Sequence, residues 1–369
     1  MLKFLGVFGA VFAFLFLLTP IVVAQSNFVP AKEEFEKAQV IDITKQGIVE
    51  SGGYKLKYQD LKLKIIDGSD QGLLIDLTYG GDTYLTDAQL VNKDDVLILD
   101  KTQGKFLILD KYRLDPIPFV LIGFAVLLLF VAGWKGLGSI AGLIISLFVI
   151  LKFIIPQIIL GHDPLTVSIL GAMVILFVTT YLAHGISKQT TIALISTFIA
   201  LIFAAFFAIG SVSFTKLAGI GNEDAVSLLM GRSTSTLNLQ GLLLAGIIIG
   251  TLGALNDITT TQSATIFELK VAAKQLDFYE LFSRGLVIGR EHIVSLVNTL
   301  VLAYAGSSLA IFIYFILNPS QQPLWVLINN EVIIDELIKT LAGTMGLILA
   351  IPIVTALASW YVSRKKLPS

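Results

Sequence analysis

The chain has 369 residues, of which 55% are hydrophobic and only 14% are charged, and its mean hydropathy is +0.83. This composition excludes an ordinary soluble domain, and the net charge of −1 gives no overall field that would favour nucleic acid. Because there are no cysteines and the three histidines lack the spacing of a metal site, we expect no disulfide, no metal and no cofactor.

The N-terminal segment has the three parts of a secretory signal. Lys3 precedes an apolar run from Phe4 to Val23, and Ala24 supplies a small residue at the cleavage position. The pattern predicts a signal peptide over residues 1–24, and an uncleaved anchor is the alternative. Whether it is a signal peptide or an anchor, this segment would direct residues 25–115 across the membrane.

Residues 25–115 are the only soluble stretch of domain size, and their apolar residues recur with a period of two. Leu61, Leu63 and Ile65 alternate with lysines, and glycine-containing turns separate the runs. The pattern predicts a small, exported all-β domain of five or six strands, with a short helix at 31–37 before it.

This β domain contains no arrangement of residues that points to catalysis. Its aspartates and lysines are those that a solvated β surface carries in any case. We therefore expect an adaptor, a sensor or a cap, in which residues 38–112 would contact an envelope protein partner.

Seven apolar runs follow Pro116, each close to the roughly 17–25 residues that a helix needs to cross about 30 Å of hydrocarbon. The sequence thus predicts an α-helical polytopic membrane domain over residues 116–369, in contact with the lipid bilayer. Its spans are expected at about 117–134, 138–160, 165–183, 190–212, 239–256, 293–317 and 340–362. Charged and apolar residues are interleaved in 263–289, which favours a helix lying on the membrane surface.

The short loops give an orientation. Lys135, Lys188, Arg284 and the basic C-terminal segment fall on one side of the predicted membrane, and few basic residues fall on the other. Because cytoplasmic loops are enriched in Lys and Arg, we expect an extracytoplasmic N-terminal domain and a cytoplasmic C-terminus.

The fifth predicted span ends in an unusually polar run, from Asn256 and Asp257 to Gln262. Polar residues inside a membrane are costly and generally functional. Asp257 either caps the helix that follows or belongs to a polar site at a helix break, which would bind an ion or a small polar solute.

Other polar residues are expected at a similar depth, although Arg290 and His184 also fit simple interfacial anchors. The predicted substrate or ion site consists of His184, Asn256, Asp257, Thr259, Thr260, Thr261, Arg290 and Asn298.

Glycines in two spans predict close helix packing, since helices in lipid associate through van der Waals contact. They are Gly246, Gly250 and Gly253 in the fifth span and Gly346 in the seventh.

Four segments carry a family resemblance. They are Lys111-Tyr112-Arg113 with Trp134-Lys135-Gly136-Leu137, the stretch His184–Thr190, the stretch Gly241–Asp257, and Gly289-Arg290-Glu291 with Asn298–Tyr304. These segments resemble the YibE/F-like family of bacterial membrane proteins, over about residues 38–360. The resemblance implies a bacterial plasma-membrane protein with an exported β domain and several membrane helices.

These features favour a permease for an ion or a small polar solute. The alternative is a non-transporting envelope scaffold or signalling protein that works through its exported β domain. An enzyme is not expected, because the chain lacks a Gly-x-Ser-x-Gly elbow, a His-Glu-x-x-His motif and a phosphate-binding loop. A homo-oligomer is compatible with either hypothesis.

Overall fold

The computed structural model describes residues 34–102, 104–221, 225, 227–228, 237–317 and 323–364. The predicted signal peptide lies outside these residues. The chain forms two compact units, a β unit that ends at Leu128 and a helical unit that begins at Leu129.

Among the described residues, the β unit contains five strands in one antiparallel sheet, with the order β3-β2-β1-β4-β5. The strands are β1 (Glu34–Ser51), β2 (Tyr54–Asp67), β3 (Leu74–Gly80), β4 (Val96–Thr102) and β5 (Lys105–Lys111). The period-two pattern places Val40, Leu63 and Leu97 in one buried core. The strands β3 and β5 end the hydrogen-bonded order and approach each other, so the sheet curls into a partly open barrel with the connectivity of an OB fold.

The helix predicted at 31–37 is wrong for the part that is described. Residues Glu34 to Lys37 belong to β1, because they pair with residues Ile98 to Lys101 of β4. Phe35 and Lys37 thus extend the sheet, a long-range pairing that local helix propensity cannot anticipate.

The helical part of the chain consists of long apolar helices and a few short ones. They are α1 (Ile117–Ala132), α2 (Trp134–Ile159), α3 (Pro164–His184), α4 (Lys188–Thr215), α5 (Leu239–Ala272), α6 (Phe278–Ser307), α7 (Leu309–Leu317), α8 (Leu324–Ile328) and α9 (Glu331–Ser363). In the described residues, six of them are long and apolar enough to cross a membrane, namely α2 to α6 and α9. The predicted span at 117–134 corresponds to α1, which at 16 residues is shorter.

The centre of the helical unit is formed by α4, α5 and α9, which pack against one another. The helix α3 packs on α5 and α2 packs on α3, so α2 lies further from the centre. Ile248, Leu255 and Leu347 are fully buried there. On the remaining side, α6 packs on α9.

Two boundary predictions in this region are wrong. The helix α5 does not break at Asp257 but continues to Ala272, and the surface helix predicted at 263–289 is the end of α5 and the start of α6. The helix continues because Gln262 and Ile266 are fully buried against other helices, so packing favours an unbroken α5. The turn lies later, where Asp277 begins α6 with a capping box.

Candidate functional site

A cleft of about 540 Å³ opens between α2, α3 and α5. Most of its wall is apolar. Its polar lining consists of Ser139, Ser146, Thr179, His184, Asn256 and Asp257. The cleft therefore combines a carboxylate, an imidazole, an amide and three hydroxyls in a region that is otherwise hydrophobic.

Glycines bring α2 close to α3 at the edge of this cleft. A Cβ atom on Gly138 would lie 2.6 Å from the carbonyl oxygen of Leu182, and one on Gly142 would lie 3.3 Å from the Thr179 methyl group. Larger residues would force the two helices apart. The glycines thus hold the hydroxyl groups of α2 and α3 beside the polar residues of α5.

The hydroxyl groups in the cleft offer oxygen lone pairs. Ser146 Oγ donates to the Gly142 carbonyl at 2.8 Å, and Thr179 Oγ1 donates to the Ile175 carbonyl at 2.7 Å. Since each hydroxyl has a single proton, both oxygens remain acceptors on their open side. Together with the Asp257 carboxylate they suit a cation or a solute that donates hydrogen bonds.

Asn256 is held in place by a neighbouring helix. Its Oδ1 accepts a hydrogen bond of 2.7 Å from Thr180 Oγ1 of α3. An amide with one fixed oxygen has a fixed nitrogen as well, so the Thr180 bond sets the orientation in which Asn256 meets the cleft.

Asp257 is exposed and borders a second opening. A groove of about 280 Å³ between α5 and α6 is lined by Asp257, Ile258, Thr261, His292, Ser295 and Leu296. The carboxylate thus lies on the wall of the cleft and of the groove. Of all the predicted site residues, it has the position best suited to contact a solute from two sides.

The structure divides the eight predicted site residues. His184, Asn256 and Asp257 share the cleft, and Thr261 lies with Asp257 in the groove. Thr259 and Thr260 are buried instead. Thr259 Oγ1 lies 2.6 Å from Thr197 Oγ1 of α4, and the Thr260 hydroxyl binds the Asn256 carbonyl.

Arg290 and Asn298 are exposed on α6 and line neither the cleft nor the groove. Asn298 follows Gly289 by nine residues, which is about two and a half helical turns. Gly289 is buried against α9, so Asn298 points to the opposite side. The expected convergence of Asn298 with Asp257 is not formed.

The four predicted packing glycines also differ. A Cβ on Gly346 would lie 2.7 Å from Ala204 Cβ, so Gly346 lies at a close helix contact, and one on Gly250 would lie 3.0 Å from the Tyr304 hydroxyl. Gly246 and Gly253 are exposed and have nothing within 4 Å of such an atom. The glycines alone do not reveal which face of α5 is packed.

Sequence reasoning did not single out the junction at Gln262. Its Nε2 donates to the Gly285 carbonyl of α6 at 2.8 Å and to Thr355 Oγ1 of α9 at 2.9 Å. The amide is fully buried, and a Cβ on Gly289 would lie 3.2 Å from Gln262 Nε2. The glycines of α6, at positions 285 and 289, were the signal that a side chain from another helix lies there.

A second polar region, also missed, lies at the start of α9. Glu331 Oε1 accepts from the backbone N–H groups of Ala218, Gly219 and Ile220 at 2.9, 2.8 and 3.0 Å. One turn later, Asp335 is buried beside Gly221. Acids in a first helical turn are common, so the sequence offered no reason to expect a buried one.

The helical part of the chain matches a family model. The model for YibE/F-like proteins covers residues 120–364, which is more than half of the chain, and it begins after the β strands, whereas the resemblance was expected from about residue 38. No curated protein and no solved structure is significantly similar to the chain. With its apolar helices and this match, the protein is a multi-pass membrane protein that belongs to the YibE/F-like family.

Proposed function

We propose that the helical unit is a permease for a cation or a small polar solute, with Asp257 as its charged ligand. The observation that carries the proposal is the position of Asp257, which lines both the cleft and the groove. Carboxylates within membrane helices are costly and mark ion and proton pathways. A carboxylate with an opening on either side can bind a solute from one and release it to the other.

The neighbouring groups complete the binding site. The oxygens of Ser146 and Thr179 would accept from the solute, and the Asn256 amide, oriented by Thr180, would add a neutral ligand. His184 shares the cleft and would add an imidazole ligand beside Asp257. Following the basic loops, we place the N-terminal domain outside a bacterial plasma membrane and the Asp257 site in its cytoplasmic half.

The test is solute flux in proteoliposomes that contain a pH dye and a panel of cations and small polar solutes. We expect Asp257→Asn to reduce the flux at least about tenfold, the effect of losing one favourable contact of about 1.4 kcal/mol. The control is Glu268→Gln on the same helix, because Glu268 is exposed and lines neither opening.

The outcome depends on stability as well as on flux. If Asp257→Asn loses flux while the wild type and both variants have equal thermal stability, the carboxylate acts in transport and not in folding. A flux that is unchanged by Asp257→Asn would contradict the proposal. No flux in the wild type for any solute in the panel would favour the second candidate.

The second candidate is a scaffold or signalling protein that binds an envelope partner through the β unit. The β1–β2 hairpin continues past its neighbours, because pairing with β3 ends at Tyr58 and pairing with β4 ends at Gln39. Beyond these points Ile48 is 61% exposed and Tyr54 is 73% exposed. Aromatic residues on a projecting ribbon suit protein contact. Deleting residues 48–54 would then abolish function, while Asp257→Asn would not.

A further inference from the structure

The helix α6 is the least covered of the six long apolar helices in the described residues. In its most apolar window only 6% of the residues are buried, compared with 17% in α2, 44% in α3, 50% in α4 and 56% in both α5 and α9. In α3, α4, α5 and α9 about half of these residues are buried within one subunit. Most of α6 is not covered by the described residues and must therefore face either lipid or protein.

The two faces of α6 differ in composition. The inner face carries Gly285 and Gly289 against α9, with Leu296 and Leu300 against the main core. On the opposite face, valines occur every seven residues, and two polar residues occur between them with the same spacing. This exposed stripe consists of Val287, Glu291, Val294, Asn298 and Val301.

Lipid does not explain the stripe. Val287 and Val294 are 60% and 62% exposed, and their apolar side chains could face lipid without cost. Asn298 lies in the apolar part of the helix, however, and its exposed amide would find no hydrogen-bond partner among acyl chains. Polar residues of membrane helices almost always face protein or water. The stripe is therefore expected to be covered by protein.

We propose that the exposed stripe of α6 binds the same stripe of a second copy of this chain, in a parallel two-fold dimer. Two copies inserted in the same direction place equal residues at equal depth. An asparagine amide is both a donor and an acceptor, so Asn298 can bond to its own counterpart. No other partner brings a matching amide to that depth without further assumption.

The stripe residue Glu291 and its neighbour Arg290 form a charged pair with the same self-complementarity. Arg290 and Glu291 are adjacent in sequence, and both are exposed. Across a two-fold axis, Arg290 of one copy lies at the depth of Glu291 in the other copy. One ion pair would thus form on each side of the axis, whereas neither charge forms an ion pair with the described residues of its own subunit.

The seven-residue spacing also specifies how the helices would pack. Each polar residue follows a valine by four residues and precedes one by three. This spacing puts Glu291 and Asn298 at position a of a heptad and Val287, Val294 and Val301 at position d. A single Asn at position a fixes the register and the number of strands in a parallel coiled coil. Asn298 has this position in the stripe.

Cysteine crosslinking tests the dimer directly, because the chain has no cysteine of its own. Single Cys variants at Val287, Val294 and Val301 are oxidised in native membranes. We expect disulfide-linked dimers at all three positions. Ile202→Cys is the matched control, since Ile202 is 64% exposed on α4 and should stay monomeric. Ile293→Cys, on the inner side of α6, should stay monomeric as well.

A second measurement removes the amide without disturbing the fold of the subunit. Asn298→Val should weaken dimerisation in detergent about threefold to twentyfold, the range expected for one hydrogen bond between membrane helices, and Asn298→Gln should retain part of the affinity. Monomers at all three valine positions would overturn the proposal. So would dimers at Ile202→Cys in equal yield, or a valine that crosslinks instead to a cysteine placed in residues 4–23 of the same chain. None of these outcomes depends on whether the protein transports a solute.

Discussion

The neighbouring helices α5 and α6 both carry amides in apolar sequence, but their amides face different surroundings. In α5, Asn256 accepts from Thr180 of α3, and Gln262 donates to α6 and α9. In α6, Asn298 is exposed on the side away from the bundle. Amides of α5 therefore join helices within one subunit, whereas that of α6 is available to a partner. Asparagine thus contacts another helix of the same subunit in α5 and faces away from the bundle in α6.

The difference arises from how each helix is packed. About half of α5 is enclosed, since α3, α4 and α9 pack against it. The helix α6 touches α9 along a narrow strip, where Gly285 and Gly289 admit Thr355, Ile351 and Gln262. Together with the contacts of Leu296 and Leu300 on the same side, this strip leaves the opposite side of α6 uncovered by the described residues.

The largest expected effect comes from filling that strip. A Cβ on Gly289 would lie 2.5 Å from the Ile351 Cγ2 atom, so we expect Gly289→Leu to destabilise the protein by about 3 kcal/mol through overpacking. Gly246→Leu is the matched control on α5, because nothing lies within 4 Å of a Cβ there. Thermal unfolding in detergent measures both. Equal losses in both variants would mean that α6 is not anchored by the glycine strip.

A smaller effect should separate the two amides. Gln262→Leu removes two hydrogen bonds of 2.8 and 2.9 Å, which should cost about 1 kcal/mol. Asn298→Leu removes an exposed amide and should change the stability of the separated subunit by less than about 0.5 kcal/mol. Denaturant unfolding is measured at protein concentrations low enough to separate any dimer. A loss at Asn298 as large as that at Gln262 would show that Asn298 has a partner within its own subunit.

The smallest effect concerns the hydroxyl contact between α4 and α5. Thr197 Oγ1 and Thr259 Oγ1 lie 2.6 Å apart, and a double-mutant cycle with valine at both positions should give a coupling of about 0.6 kcal/mol, typical of such bonds in membranes. The cycle of Thr197 with Thr251 is the control. Thr251 lies about two helical turns before Thr259 on α5, and its hydroxyl binds the carbonyls of Ile247 and Ile248. Similar coupling in both cycles would exclude a specific contact between α4 and α5.

Hydropathy and periodicity determined much of this protein from the sequence. The alternation at Leu61, Leu63 and Ile65 gave a sheet whose core contains all three residues, and the apolar runs gave most of the long helices. The polar run after Asn256 located the cleft residues Asn256 and Asp257. These inferences succeed because the period of buried residues and the thickness of a membrane act on short stretches of chain.

Tertiary structure alone decided that α5 continues past Asp257 and which face of each helix is covered. Asp257 could have capped a new helix, but buried contacts at Gln262 and Ile266 favour an unbroken α5. Asn298 could have turned toward Asp257, but the contact of Gly289 with Ile351, far away in sequence, fixes the rotation of α6. The period of a helix is a local property of its residues, whereas its rotation about its own axis depends on the helices that pack against it.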